Sequence, residues 1–150
     1  MERYKIIATV HLLHIIDDKV LLSERKNTGY SDGMYSLVGG HAEQNETIVE
    51  AVIREISEEI AANLSAKDLK LVHVLHRRKE NPYDDDRIEF FFTTNAQLQY
   101  LNNETNLCAN LKWFDINKLP NNIIPYNRHV IVEFYRGNIY SEYGWNKNIE

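Results

Sequence analysis

The sequence is poor in the residues that mark secreted, fibrous and disordered proteins. Its 150 residues include one cysteine, three prolines and six glycines, so no internal disulfide can form, and neither a collagen-like nor a low-complexity chain is indicated. The lone thiol, Cys108, has no neighbouring ligand pattern and favours a reducing compartment. We therefore expect a folded cytoplasmic protein, and the length predicts one domain over residues 1–150.

Long hydrophobic runs and an excess of positive charge are also missing. No stretch reaches the roughly 18 apolar residues that a membrane helix needs, so no membrane partner is expected. The chain has 17 lysines and arginines against 22 aspartates and glutamates, which gives a formal net charge of −5. This balance argues against non-specific binding to nucleic-acid phosphates, and we expect no stable nucleic-acid complex. A phosphorylated ligand would have to be held by local positive charge.

Hydrophobic patterning predicts strands, a helix, further strands and a second helix. A period of 3.6 residues marks one amphipathic helix over residues 47–62 and another over residues 126–136. The strand-like runs are residues 4–16, 20–25, 34–38, 68–78, 87–95 and 111–114. Because the strands come in hairpin-like runs rather than in strict alternation with helices, the pattern favours an α/β fold with a mixed sheet covered by helices.

Three glutamates lie on one face of the first predicted helix. Glu55, Glu58 and Glu59 are spaced i, i+3 and i+4, so helical geometry gathers their carboxylates within a sector of about 100°. A divalent cation would relieve their mutual repulsion, and a ligand set made only of oxygens favours Mg²⁺ or Mn²⁺. The alternative explanation for the same spacing is a solvated acidic face.

The residues around these glutamates form a longer motif. The spacing G-x5-E-x7-R-E-U-x-E-E, where U is aliphatic, is matched by Gly40, Glu46, Arg54, Glu55, Ile56, Glu58 and Glu59. This motif resembles the Nudix box of the Nudix hydrolases. Residues 35–43, 111–114 and 119–120 are also similar to the family, so the resemblance covers most of the chain. The departure is Ala61, where the family has glycine, and a positive φ there would cost on the order of 1 kcal/mol.

The resemblance implies a fold, a reaction and a site. The fold would be a Nudix-like α/β/α sandwich with a mixed β-sheet, and the reaction a metal-dependent hydrolysis of a diphosphate linkage in a nucleoside diphosphate derivative. By position, the ligands of Mg²⁺ or Mn²⁺ would be Glu55, Glu58, Glu59, the Gly39 carbonyl and Glu104. Glu55 would act as the general base. The catalytic residues would be Glu55, Glu58, Glu59 and Arg54. Arg54 would form an orienting ion pair with Glu46, and Gly40 would have a structural role.

Local positive charge for the substrate phosphates would come from arginines. The candidates are Arg25, Arg77 and Arg78, because a guanidinium offers the paired donors that an acidic site lacks. Asn127 resembles a position at which some relatives hydrogen-bond the base, although capping of the second predicted helix is the simpler role.

The expected partner is a small nucleotide, and its identity is reached by elimination. Relatives that act on dinucleoside polyphosphates or ADP-ribose tend to carry a marker Tyr or Pro beyond the box, where this chain has Arg77-Arg78-Lys79. We therefore expect a nucleoside triphosphate, modified or not, to be cut to the monophosphate and pyrophosphate. Nucleotide sugars, other NDP-X compounds and capped RNA stay open, as do a non-catalytic nucleotide sensor, an acidic protein-interaction domain and a homodimer.

Overall fold

The computed structural model describes residues 1–146 and 149. In this part of the chain, nine β-strands and two α-helices follow one another. They are β1 (Ile7–Leu12), β2 (Ile15–Ile16), β3 (Lys19–Arg25), β4 (Tyr35–Ser36), β5 (Val38–His41), α1 (Ile48–Ile60), β6 (Leu69–Arg77), β7 (Arg87–Thr94), β8 (Cys108–Asp115), α2 (Pro125–Tyr135) and β9 (Tyr140–Tyr143). The order agrees with the hydrophobic patterning, except that the patterning predicts no strand at β9.

The strands form two sheets. The first is a mixed sheet with the order β5-β1-β7-β6-β9, in which β1 runs parallel to β7 and β6 runs parallel to β9. The second is antiparallel, and its central strand β3 pairs with β2, β4 and β8. The mixed sheet with its helices confirms the predicted α/β class, whereas the second sheet is a feature that the patterning does not separate from the first.

The chain changes sheets at two points where one continuous strand is predicted. Leu13 donates its N–H to Phe92 of the mixed sheet, at 2.7 Å, while the carbonyl of the next residue, His14, accepts from Leu21 of the antiparallel sheet, at 3.0 Å. Leu37 marks a second crossing, between β4 and β5. The predicted strands 4–16 and 34–38 are therefore each divided into two, because hydrophobic runs do not reveal which sheet a residue joins.

Alternation along the strands separates the two faces of the mixed sheet. Val10, Leu12 and Phe92 pack against α1 in one apolar cluster. Leu13, Leu75 and Phe91 belong to the other cluster, which also contains the antiparallel sheet and α2. Residues two apart share a face, so Thr9, His11, Glu89 and Arg77 also point away from α1. Four polar side chains thus lie between the two layers, beside the apolar core.

Helix α1 begins as its sequence predicts. Thr47 is the N-cap, its hydroxyl accepts from the N–H of Glu50 at 3.1 Å, and the Glu50 carboxylate accepts from the N–H of Thr47 at 2.7 Å. This reciprocal capping box fixes the first turn. The helix ends at Ala61, which adopts the left-handed conformation with φ 54° and ψ 24°. None of the helices in the described part of the chain has the length and apolar composition that a membrane crossing requires.

Candidate active site

Helix α1 and strand β5 enclose an acidic cleft of about 410 Å³. We define this acidic cleft by five of its lining residues, the carboxylates Glu55, Glu59 and Glu104 and the glycines Gly39 and Gly40; Glu43 also lines it. Glu55 and Glu59 come from consecutive turns of α1, and Glu104 comes from the segment between β7 and β8. The side chain of Glu58 is half exposed and turns towards Arg54 instead. Three of the four predicted carboxylates therefore share one cavity.

The carboxylate charges in the acidic cleft repel one another. Burial raises the pKa of Glu59 well above its ordinary value, and the charges of Glu55 and Glu104 act in the same direction. Burial also raises the pKa of Glu55, against the opposing effect of Arg54, and burial together with the charge of Glu58 raises the pKa of Glu104. A cation placed among these groups would stabilise the ionised forms of all of them.

Arg54 connects the carboxylates of α1 to the segment before the helix. Its Nε and Nη2 donate to the two oxygens of Glu46, at 3.0 and 2.8 Å, so the predicted ion pair is present and is bidentate. Nη1 donates to Glu55 at 2.9 Å and to Glu58 at 3.2 Å. These bonds raise the pKa of Arg54. Arg54 thus acts as a fixed counter-charge that orients Glu55.

Both glycines of β5 permit a close approach, Gly40 to α1 and Gly39 to β1. The N–H of Gly39 donates to Glu59 Oε2 at 3.2 Å. A Cβ atom at Gly40 would lie 2.5 Å from Glu55 Oε1, and a Cβ atom at Gly39 would collide with the backbone of Val10. A side chain at either position would displace a carboxylate or the neighbouring strand.

The residues of the acidic cleft fit a hard divalent cation in their chemistry. Across residues 1–146 and 149, no three His, Cys, Asp or Glu side chains converge closely enough to hold a metal ion, because Arg54 holds Glu55 and Glu58 while Gly39 holds Glu59. The lining offers several carboxylates whose repulsion a cation would relieve, and oxygen ligands suit Mg²⁺ and Mn²⁺.

A second cavity, of about 550 Å³, continues from the acidic cleft. We call it the polar pocket. The two cavities share the residues Arg25, Thr28, Ser36, Leu37, Gly39, Gly40 and His41, so β5 forms a common wall. The rest of the polar pocket includes Thr9, His11, Tyr30, Arg77, Glu89, Tyr126 and Asn127. An elongated ligand could lie across β5 with one end in each cavity.

A buried ion network forms one wall of the polar pocket. Glu89, which is 1% exposed, accepts hydrogen bonds from Thr9 Oγ1 at 3.0 Å, His11 Nε2 at 3.0 Å and Arg77 Nε at 2.7 Å. Burial alone would raise the pKa of Glu89, but the bonds and charges of His11 and Arg77 outweigh it and lower this pKa to about 2. Glu89 is therefore ionised and satisfied, and it fixes the orientation of Arg77.

Arg77 and Asn127 both line this pocket and carry donor groups. The guanidinium of Arg77 lies 4.0 Å from the centre of the Tyr126 ring. Asn127 Oδ1 accepts from the N–H of Leu37 at 2.9 Å, while Asn127 Nδ2 is buried without a partner among the described residues. The N-cap of α2 is Ile124, so the capping role predicted for Asn127 is wrong, because its side chain turns inward to the crossing between the sheets.

Comparison with known proteins explains this combination of a carboxylate helix and a glycine strand. A family model described as NUDIX domain matches residues 5–134. The chain belongs to the Nudix family. This membership confirms the resemblance of the sequence motif, the fold class and the assignment of the chain to a family of hydrolytic enzymes.

Two curated proteins illustrate the range of Nudix relatives. A putative 8-oxo-dGTP diphosphatase of Bacillus subtilis is 32% identical over 121 residues, which are 79% of this chain and 72% of that protein. An ADP-ribose pyrophosphatase of Methanocaldococcus jannaschii is 45% identical over 53 residues, which are 35% of this chain and 31% of that protein. The chain thus matches less than one third of the length of the archaeal relative.

Solved Nudix structures share the fold at low sequence identity. A MutT NUDIX hydrolase from Burkholderia pseudomallei superposes with a TM-score of 0.75 at 22% identity, covering 85% of this chain and 97% of that chain. A bifunctional NMN adenylyltransferase/ADP ribose pyrophosphatase from Francisella tularensis, complexed with AMP and a Mn ion, gives a TM-score of 0.65 at 17% identity and covers 92% of this chain and 44% of that chain.

The arginines predicted to bind phosphate occupy different places around the Nudix box. Arg25 lines both cavities, and its Nε donates to the Tyr30 carbonyl at 2.8 Å. Arg77 faces the polar pocket, whereas Arg78 pairs with Asp86 at 3.0 Å and packs on Trp145. Arg77 therefore lines the polar pocket but not the acidic cleft, and Arg78 lines neither of these two cavities.

Sequence reasoning did not find the ion network of the polar pocket. His11 and Glu89 fall within the predicted strand runs 4–16 and 87–95, and the sequence gives neither of them a role. The available signal is the alternation in β1, where polar Thr9 and His11 interrupt the apolar Val10 and Leu12. Such alternation indicates a strand with one polar face, but it does not reveal that this face lies inside the molecule.

Proposed function

We propose that this Nudix protein hydrolyses a nucleoside triphosphate to the nucleoside monophosphate and pyrophosphate, with Mg²⁺ or Mn²⁺. The observation that carries the proposal is the continuity of the acidic cleft and the polar pocket across β5. A triphosphate lying over this strand would have its phosphates beside the carboxylates and its base in the polar pocket. The name of the Bacillus subtilis relative, a putative 8-oxo-dGTP diphosphatase, supports a triphosphate substrate.

The cation would be held by oxygens in and beside the acidic cleft. Glu55, Glu58 and Glu59 would provide most of the ligands, together with the Gly39 carbonyl and Glu104. When bound, the ion supplies charge that neutralises the phosphate oxygens and makes a water molecule a stronger acid. The raised pKa values of Glu55, Glu59 and Glu104 support this role: burial is their main cause, and the charges of neighbouring carboxylates add a repulsion that a cation would remove.

Glu55 is the residue that we assign as general base. It accepts the proton of the attacking water, and its raised pKa favours proton uptake. Arg54 and Glu46 keep its carboxylate oriented through the bonds described above. Arg25 binds the phosphate chain, because Tyr30 and Thr28 fix its Nε and Nη2 and leave Nη1 to donate to a phosphate oxygen.

The donors of the polar pocket favour a base whose edge carries acceptors. Arg77 and Asn127 both line this pocket, and Asn127 Nδ2 is a buried donor without a partner among the described residues. The O6 and N7 atoms of guanine accept hydrogen bonds, whereas adenine places an amino donor at the position of O6. We therefore propose that guanine nucleotides, oxidised or not, are hydrolysed in preference to adenine nucleotides.

A substrate panel with product identification tests this function. GTP, 8-oxo-dGTP, ATP, ADP-ribose and a nucleotide sugar are each incubated with the protein and Mg²⁺ in ¹⁸O-labelled water, and the products are analysed by mass spectrometry. We expect GMP-type products with pyrophosphate, and the label in one of these two products identifies the phosphorus that is attacked. EDTA is expected to abolish the reaction.

Three results would contradict the proposal. Release of orthophosphate from the γ position would mean that the phosphate chain is bound in another register. Full activity in EDTA would exclude a requirement for Mg²⁺ or Mn²⁺. Failure to cleave any of these compounds with Mg²⁺ or Mn²⁺ would favour a protein that binds a nucleotide without hydrolysing it.

A further inference from the structure

The turn that carries Glu104 is attached directly to the end of α1. The N–H of Leu101 donates to the Ile60 carbonyl at 2.9 Å, and the N–H of Asn103 donates to the Glu59 carbonyl at 3.0 Å. The last carbonyls of a helix have no partners within it, and α1 has no basic residue in its last turn. Residues 101–103 therefore satisfy the end of the helix that bears the other carboxylates.

Asn102 makes this turn rigid around Glu104. Its Nδ2 donates to the Cys108 carbonyl at 2.8 Å, and its Oδ1 accepts from the N–H of Glu104 at 3.1 Å. The Glu104 carbonyl in turn accepts from the N–H groups of Leu107 and Cys108, at 2.8 and 2.7 Å. The half-buried Asn102 amide thus uses both its ends to span the turn, and the backbone of Glu104 is bonded on both sides.

We propose that Asn102 is a positioning residue, which holds the Glu104 carboxylate at the acidic cleft where it binds the divalent cation. This inference rests on the proposed function, because it requires a cation in the cleft. Asn102 itself does not line the cleft and acts through Glu104. Its removal leaves the bonds of residues 101 and 103 to α1 in place, so the turn stays attached while the backbone of Glu104 loses one of its bonds.

Binding of Mn²⁺ to the full-length protein without substrate tests this role. The dissociation constant is measured from the electron paramagnetic resonance signal of free Mn²⁺ for wild type, Asn102→Ala, Glu104→Gln and the double variant. Substitution of a residue that orients a metal ligand typically weakens metal affinity about tenfold or more. We therefore expect Asn102→Ala and Glu104→Gln each to weaken Mn²⁺ binding about tenfold. If Asn102 acts through Glu104, the double variant binds no more weakly than Glu104→Gln alone.

Asn106→Ala is the matched control in the same turn. Asn106 is exposed and contributes its backbone carbonyl to Asn27, so its side chain can be removed without disturbing Glu104, and Mn²⁺ affinity is expected to equal that of the wild type. Melting temperatures measured without metal verify that each variant folds. If Asn102→Ala does not fold, Asn102→Ser, which is too short to span the turn, replaces it in the comparison.

The positioning role is overturned if Asn102→Ala binds Mn²⁺ as tightly as the wild type, if the two substitutions weaken binding multiplicatively, or if the wild type binds no Mn²⁺. These outcomes are distinct from failure of the proposed function, which is judged by the products of nucleotide hydrolysis. A protein that releases pyrophosphate but shows no effect of Asn102→Ala would keep the function and lose this role for Asn102.

Discussion

Asn127 Oδ1 accepts the backbone N–H of Leu37 at 2.9 Å, and these residues are 1% and 3% exposed. The bond joins α2 to the point where the chain passes from the antiparallel sheet to the mixed sheet. Because Leu37 can only donate, the accepting atom must be the amide oxygen. The amide is therefore fixed with Nδ2 as its remaining donor, and Asn127 and Arg77 both line the polar pocket.

Asn127→Asp should alter the preference for the base. The carboxylate keeps an acceptor for the N–H of Leu37 but replaces the Nδ2 donor by a second acceptor. We expect the ratio of kcat/KM for GTP to that for ATP to fall at least about tenfold, since a buried donor or acceptor left unpaired costs roughly 1–3 kcal/mol. Asn127→Leu, which removes both groups, should lower both values. An unchanged ratio in a folded Asn127→Asp protein would place the base elsewhere.

Glu59→Gln should separate activity from stability. Removal of one like charge relieves repulsion from Glu55 and Glu104 in the metal-free protein, so the melting temperature should stay level or rise. Loss of a metal ligand should lower kcat at least about a hundredfold. Glu142→Gln, at an exposed position of β9, serves as control and should change neither the melting temperature nor kcat. Retained activity, or unfolding of Glu59→Gln, would indicate that this face of α1 is only structural.

Ala61→Gly should stabilise the protein by about 1 kcal/mol. Ala61 has φ 54°, and a left-handed residue with a Cβ atom costs roughly 1–2 kcal/mol that glycine avoids. The midpoint of denaturant unfolding measures the gain. Ala51→Gly, within α1 and fully buried, is expected to shift the midpoint in the opposite direction. Activity should change little, and a large loss would mean that residue 61 influences the metal site.

The lowered pKa of Glu89 predicts a specific dependence of the unfolding free energy on pH. Its pKa falls from an ordinary 4.5 to about 2 in the folded protein, so its contribution is complete above about pH 4.5 and is lost as the pH decreases towards 2. The difference in unfolding free energy between wild type and Glu89→Gln should be constant at neutral pH and should shrink by about 3 kcal/mol over this acid range.

Urea titrations from pH 7 to pH 2 measure this difference, with Glu2→Gln on the exposed N-terminal segment as the control. Other carboxylates titrate in both proteins and cancel in the comparison. A difference that does not change with pH would show that the pKa of Glu89 is the same in the folded and unfolded states. A difference that grows as the pH falls would show that Glu89 is protonated in the folded state, and the network with Arg77 and His11 would then need another proton arrangement.

The sequence by itself determined the features that depend on neighbours along the chain. The capping box of Thr47 and Glu50, the amphipathic repeat of α1 and the common face of Glu55 and Glu59 all follow from spacings of three or four residues. The ion pair of Arg54 with Glu46 spans only eight residues, and the motif that contains it was sufficient to indicate the Nudix family.

Only the tertiary structure decided which distant residues meet. His11 and Glu89 are separated by 78 residues, and Leu37 and Asn127 by 90, so no local period brings either pair together. The register of β1 against β7 places Thr9 opposite Glu89, and the register of β6 against β7 places Leu75 there. These registers, rather than the composition of any one strand, bring the four polar side chains together. Strand register depends on packing across the whole sheet, and for that reason the polar pocket was not visible in the sequence.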